Sequence, residues 1–112
     1  MLNIIDENLN LAPKTFRRLV WDKITNGVEL TKKEYKYWLN FNKQPYISHY
    51  ESQENGCILY WKNGEKHYYK NGKRHKEDGP AVIGADGFTA FFLNDKRYIE
   101  KVYWKIINAK HN

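Results

Sequence analysis

The chain of 112 residues has little of several things, and each shortage excludes something. It has one cysteine, Cys57, so no internal disulfide is open to it and a reducing compartment fits. Its apolar neighbours Ile58 and Leu59 mark Cys57 as a buried strand residue rather than a nucleophile. No window approaches the roughly 18 apolar residues of a membrane span. The first residues, MLNIIDENLNLAPK, carry neither a basic lead nor a useful apolar run, so the expectation is a soluble, cytoplasmic protein. Catalytic signatures are missing too: there is no Gly-rich phosphate loop, Cys-x-x-Cys, Gly-x-Ser-x-Gly or His-Glu-x-x-His. The expectation is therefore a protein that is not an enzyme and needs no cofactor.

Acidic residues are the scarcer charge. Nineteen Lys and Arg stand against thirteen Asp and Glu, a formal net charge of +6. That balance favours an acidic partner, either nucleic acid, a nucleotide or an acidic protein surface, although it also serves solubility alone. Aromatics are abundant at 16%, with nine Tyr and four Trp. Rings of this kind carry a polar edge and often sit half-buried or at binding surfaces.

The length is that of a single domain with one modest core. Residues 13–42 read as two helices. Pro13 suits a first helical position, and Phe16, Leu19, Val20 and Ile24 recur at helical spacing up to a stop at Asn26-Gly27. Thr31 and Glu34 form a capping box. Leu30 and Tyr35 form its hydrophobic staple, Tyr35, Trp38 and Leu39 continue one face, and Gln44-Pro45 ends the element. Residues 45–98 change period, with short apolar runs between Asn-Gly, Asp-Gly and Asn-Asp turns. Residues 99–108 return to helical spacing, with Ile99, Val102, Tyr103, Ile106 and Ile107 on one face. The expected fold is α+β: two N-terminal helices as a cap, a central antiparallel meander of hairpin repeats, and a C-terminal helix packed on the sheet.

The meander repeats a phrase. YWKNGEKH (60–67), YYKNGKRH (68–75) and FFLNDKRY (91–98) align, and residues 54–67 also align with 85–98 at an offset of thirty-one. One hairpin alone is marginal, and several in succession share a core. Type I′ turns at Asn63-Gly64 and Asn71-Gly72 predict Trp61 opposite Lys66, Tyr60 opposite His67, Tyr69 opposite Arg74 and Lys70 opposite Lys73. Leu59, Trp61, Lys66, Tyr68, Lys70, Lys73 and His75 then share one face. Trp61–Lys66 and Tyr69–Arg74 become cation–π pairs, and the like-charged Lys70–Lys73 pair invites an anion. The candidate binding residues are Trp61, Lys66, Tyr68, Lys70, Lys73, Arg74 and His75. In this register His67, His75, Glu77 and Asp78 fall on opposite faces, so no metal site is expected.

The stretch NGKRHKEDGPAVIGADG, 71–87, resembles tandem repeats of the form NGKxHREDGPAxxxxDG found in small proteins of phages and large DNA viruses. These are loosely related to MORN-type hairpin repeats. The clear copy is His75-Lys76-Glu77-Asp78-Gly79-Pro80-Ala81, with Lys76 where the repeat usually has Arg, and degenerate flanks extend the likeness over about half the chain. The resemblance implies a hairpin meander and a small viral protein acting in the host cytoplasm. The expected role is an interaction protein that binds and inhibits a host protein or defence factor through an aromatic and basic sheet face. A nucleic-acid or nucleotide binder using the same face is the alternative, a phosphodiesterase working through His67 or His75 a third. Exposed sheet edges add a possible homodimer.

Overall fold

A computed structural model describes residues 13–41 and 47–111. Helix α1 (Pro13–Thr25) buries Val20 and Ile24, while Leu19 lies on its exposed flank. The helix ends as Asn26-Gly27 predicts. Gly27 takes φ 75°, its N–H donates to Ile24 O at 3.1 Å and Val28 N donates to Lys23 O at 2.8 Å. Those two bonds make a Schellman cap, which needs a residue free to adopt positive φ. Helix α2 (Lys32–Phe41) opens with the predicted capping box: Glu34 N donates to Thr31 Oγ1 at 3.2 Å and Thr31 N donates to Glu34 Oε1 at 2.8 Å. The Gln44-Pro45 stop lies outside the described residues. Tyr35 and Leu39 do not share the buried face of Trp38 but stand about half exposed.

Among the described residues seven strands form one antiparallel sheet: β1 (Ile47–Gln53), β2 (Gly56–Trp61), β3 (Lys66–Lys70), β4 (Lys73–Arg74), β5 (Val82–Ile83), β6 (Thr89–Leu93) and β7 (Lys96–Tyr98). The order is β1-β2-β3-β5-β6-β7, with β4 also paired to β3. Strands β4 and β5 lie along the same edge of β3: His75 N donates to Tyr68 O at 3.1 Å and Tyr68 N donates to Ala81 O at 2.8 Å. They act as one strand that leaves the sheet after His75 and rejoins it at Ala81. Helix α3 (Glu100–His111) starts one residue later and runs further than predicted, and it packs on β6.

The two cores lie on opposite sides of the sheet. Val20, Ile24 and Trp38 pack with Cys57, Leu59 and Tyr69 on the side of α1 and α2. Phe91, Tyr103 and Ile107 pack on the other side, at the far end. The buried stripe of α3 is narrower than its apolar pattern, since Val102 is 39% and Ile99 71% exposed. Burial pushes the Cys57 thiol up to about 12, so it stays protonated and inert.

The turns correct the predicted register at one place. Asn71 and Gly72 have φ 52° and 80°, as a two-residue type I′ turn requires, and Lys70 pairs with Lys73 and Tyr69 with Arg74 as predicted. At Asn63-Gly64 only Gly64 has positive φ, 95°. Gly64 N donates to Trp61 O at 3.0 Å and Trp61 N to Glu65 O at 2.9 Å, so the loop holds three residues with glycine at its left-handed position. The pairing therefore slips by one: Tyr60 faces Lys66, Leu59 faces His67 and Ile58 faces Tyr68. A one-residue slip exchanges the faces of a strand.

The offset of thirty-one is replaced as well. The two-residue turn at Glu54-Asn55 has no counterpart in the three-residue loop 85–87. Loop 85–87 matches loop 62–64 bond for bond: Gly84 N donates to Phe88 O, Gly87 N to Gly84 O, and Phe88 N to Asp86 Oδ1. The Asn94-Asp95 turn, with φ 53° and 71°, matches Asn71-Gly72. The structural repeat is thus a pair of unlike hairpins recurring at an offset of twenty-three, the spacing of YYKNGKRH and FFLNDKRY.

Candidate functional site: an aromatic and basic sheet face

With α1 and α2 on one side of β1–β3, the other side of these strands faces away from both helices, and on it Ile58 is buried. Pairing and alternation place His49 and Glu51 of β1, Ile58 and Tyr60 of β2, Lys66, Tyr68 and Lys70 of β3, and Lys73 of β4 on it. His49 stacks on Tyr60 with ring centroids 4.4 Å apart and planes 10° off parallel. Lys66 Nζ lies 5.8 Å from the ring centroids of both Tyr60 and Tyr68, and Lys76 Nζ lies 4.5 Å from that of Tyr68. The result is a row, His49–Tyr60–Lys66–Tyr68–Lys76, in which each ammonium rests against a ring. Cation–π contacts of this kind hold a long side chain in place at about 0.5–1 kcal/mol each when exposed.

Lys66, Lys70 and Lys73 have no carboxylate partner at ion-pair distance among the described residues. Lys70 and Lys73 flank the Asn71-Gly72 turn. The tip of their hairpin docks on the end of α1, where Gly72 N donates to Thr25 O at 3.1 Å, and on the β1–β2 turn, where Asn71 N donates to Asn55 O at 2.7 Å.

Loop 76–80 borders this face. His75 is buried, with Nδ1 accepting from Asn94 N at 3.0 Å and Nε2 bonded to Glu77 Oε2 at 2.9 Å. The hydrogen bonds from His75 and Lys110 hold the Glu77 carboxyl below the usual carboxylate range. Lys76 Nζ meets Asp78 Oδ1 at 2.8 Å; this contact raises the lysine and lowers the aspartate. Between the loop and the β1–β2 turn runs a groove of about 510 Å3 lined by Tyr68, Lys70, His75, Lys76, Glu77 and Asp78, with Gln53 and Glu54 opposite.

Of the seven predicted residues, Lys66, Tyr68, Lys70, Lys73 and His75 share this side, and His75 is a structural member with both ring nitrogens engaged. Trp61 and Arg74 are on the other side. Trp61 packs against the helical core and lies 5.1 Å from the His67 ring, so the predicted Trp61–Lys66 pair does not form. Arg74 sits 5.5 Å from Tyr69, as predicted, and also 5.8 Å from Phe92, and its Nε donates to His67 Nδ1 at 3.4 Å. His49, Tyr60 and Lys76 were missed. The corrected register identifies the first two, since each follows from alternation once Trp61 is assigned to the helix side.

On that helix side, His67 is bonded through Nε2 to Glu65 Oε1 at 3.0 Å. Burial lowers the proton affinity of His67, the Glu65 bond opposes that, and the nearby Arg74 charge adds to the lowering. Its ring is thus held neutral, with the proton on Nε2. His67 and His75 lie on opposite faces, and among the described residues no group of three or more His, Cys, Asp or Glu is placed to hold a metal ion. No described helix is long and apolar enough to cross a membrane.

Comparisons with protein-family models, with curated proteins and with solved structures find no match to this chain.

Proposed function

We propose that this chain is a non-enzymatic binding module whose aromatic and basic sheet face docks on an acidic surface of a partner protein and blocks it. The observation that carries the reading is the row of rings and ammonium groups across β1–β3, with Lys66, Lys70 and Lys73 unpaired among the described residues. The KEDGPA resemblance supports a small viral protein, for which the partner is a factor of the host cell. The ring faces favour a protein over a single nucleic-acid strand. Stacking on bases needs a bare ring face, whereas Tyr60 carries His49 and Lys66, and Tyr68 carries Lys66 and Lys76.

The test is affinity capture with the tagged protein from nuclease-treated lysate, set beside the triple variant Lys66→Glu/Lys70→Glu/Lys73→Glu. A protein held in stoichiometric amount by the native chain and lost by the variant is the expected result. Capture that the triple variant leaves intact removes this face from the account. Retention on immobilised single-stranded DNA that falls with a log–log salt slope near −0.7 per phosphate contacted would move the assignment to nucleic acid.

A further inference from the structure

Strand β1 is an edge of the sheet, and among the described residues its one partner is β2. Gln53 and Gly56 flank the two-residue Glu54-Asn55 turn, so the hydrogen-bonded pairs of this hairpin fall at Gln53, Glu51 and His49. The far side of β2 fixes the same phase: Trp61 N donates to Glu65 O, which assigns the backbone groups of Cys57, Leu59 and Trp61 to β3 and those of Gly56, Ile58 and Tyr60 to β1. Tyr50 and Ser52 therefore turn their N–H and C=O groups outward, away from the sheet. A free edge of this kind is a template for another strand.

The edge is complementary to itself. Set antiparallel to a second β1 with Tyr50 opposite Tyr50, it places His49 of each copy opposite Glu51 of the other. Tyr50 offers outward groups in both copies, so the central pair closes two main-chain hydrogen bonds, and His49 and Glu51 meet at the closely spaced position between bonded pairs. Centring the pair on Glu51 also brings outward groups together, those of Tyr50 with Ser52, but it opposes glutamate to glutamate at the closely spaced position.

The side chains agree with this register. Among the described residues, His49 Nδ1 is engaged by the Ser48 hydroxyl at 3.0 Å, which leaves Nε2, and Glu51 has only a long 3.5 Å bond from the Tyr60 hydroxyl to Oε1, which leaves Oε2. On the helix side, Tyr35, Leu39 and Tyr50 help line a groove of about 630 Å3 beside the edge. Val28, Tyr35 and Leu39 there are 50%, 49% and 50% exposed, an apolar patch that a two-fold axis through Tyr50 lays against its own copy. The irregularity in β1 falls between Ile47 and His49, outside this segment.

We infer that β1 is a dimer edge, pairing antiparallel with β1 of a second copy about Tyr50, with two reciprocal His49–Glu51 contacts. The inference is independent of the function proposed above. Sedimentation equilibrium across the micromolar range reads it directly. The native chain is expected to dimerise. His49→Glu, which sets glutamate against Glu51 twice, is expected to weaken the dimer by about tenfold or more. The double variant His49→Glu/Glu51→Lys restores opposite charges and is expected to restore the dimer. A native chain that stays monomeric throughout overturns the inference, as does a His49→Glu chain that dimerises like the native one. A double variant no better than the single one overturns the register. Far-ultraviolet circular dichroism on each variant confirms that a monomer is a folded one.

Discussion

The Tyr103 hydroxyl grips Gly79 from both directions. It accepts from Gly79 N at 3.2 Å, lies 3.0 Å from the Gly79 carbonyl oxygen, and also reaches the Lys76 carbonyl. Tyr103 belongs to the C-terminal helix and Gly79 to the loop where the interrupted strand leaves the sheet. One phenol thus satisfies backbone groups that the break in the ladder leaves over.

Tyr103→Phe tests this directly. The ring still fills its place beside Phe91, but the buried Gly79 N–H loses its acceptor. The expected loss is about 1–3 kcal/mol of unfolding free energy, read from urea denaturation. Burial holds the phenol above its ordinary value. The native chain therefore loses stability as pH rises past the unfolded-state value of about 10, and Tyr103→Phe loses that part of the dependence.

His67 contributes to the acid limb. Its folded-state affinity for protons is lowered, first by burial. The unfolded chain binds a proton there more readily, so this contribution is complete above about pH 6.5 and is lost as pH falls below it. Urea midpoints measured between about pH 8 and about pH 5 are expected to fall less steeply for His67→Gln than for the native chain.

Lys23 and Glu34 join the two N-terminal helices, with Nζ 2.8 Å from Oε2 and the Glu34 side chain only 6% exposed. Burial raises the Glu34 carboxyl, but bonds from Lys23 and Thr31 outweigh it and hold the group below its ordinary value. Its contribution is therefore present above about pH 4.5 and is lost as pH falls through the folded value. Lys23→Met strands the carboxylate, at an expected loss of about 3 kcal/mol near neutral pH. That loss shrinks in acid, where the carboxylate is protonated; a loss independent of pH would assign the effect to packing.

Gly64→Ala probes the slipped hairpin. Gly64 has φ 95°, and a Cβ there meets the Ala85 Cβ at 2.8 Å. Strain and clash together are expected to lower stability by about 1–3 kcal/mol. The same change at Gly87, with φ 92° and nothing within 4 Å, carries the backbone strain alone and is expected to cost less.

Those two loops also show what the sequence could and could not tell. The bounds of α1, the capping box, the Asn71-Gly72 turn and the Lys70–Lys73 pair were legible because each is decided by neighbours within a few residues. The Asn63-Gly64 turn was not. Lys62-Asn63-Gly64 and Lys70-Asn71-Gly72 are the same tripeptide, yet they close loops of three and two residues. At the first, Asn63 Oδ1 accepts from Glu65 N at 2.9 Å. The wider loop lets Cys57, Leu59 and Trp61 face α1 and α2 together with His67 and Tyr69. A two-residue turn would have turned Lys66 and Lys70 toward the helical core instead. Burial across the sheet chose between turns that local chemistry allows equally, and that choice split Trp61 from Tyr68.

The two cores are joined by the short ladder of β3 with β5, where Lys66 pairs with Ile83 and His67 with Val82, and by bonds from Asp95 N to Arg74 O and from Lys76 N to Phe92 O. Amide protons on either side of that seam are therefore expected to exchange as separate families. The helix that carries Tyr103 should surrender its protection together with loop 76–80, while β1 and β2 remain closed.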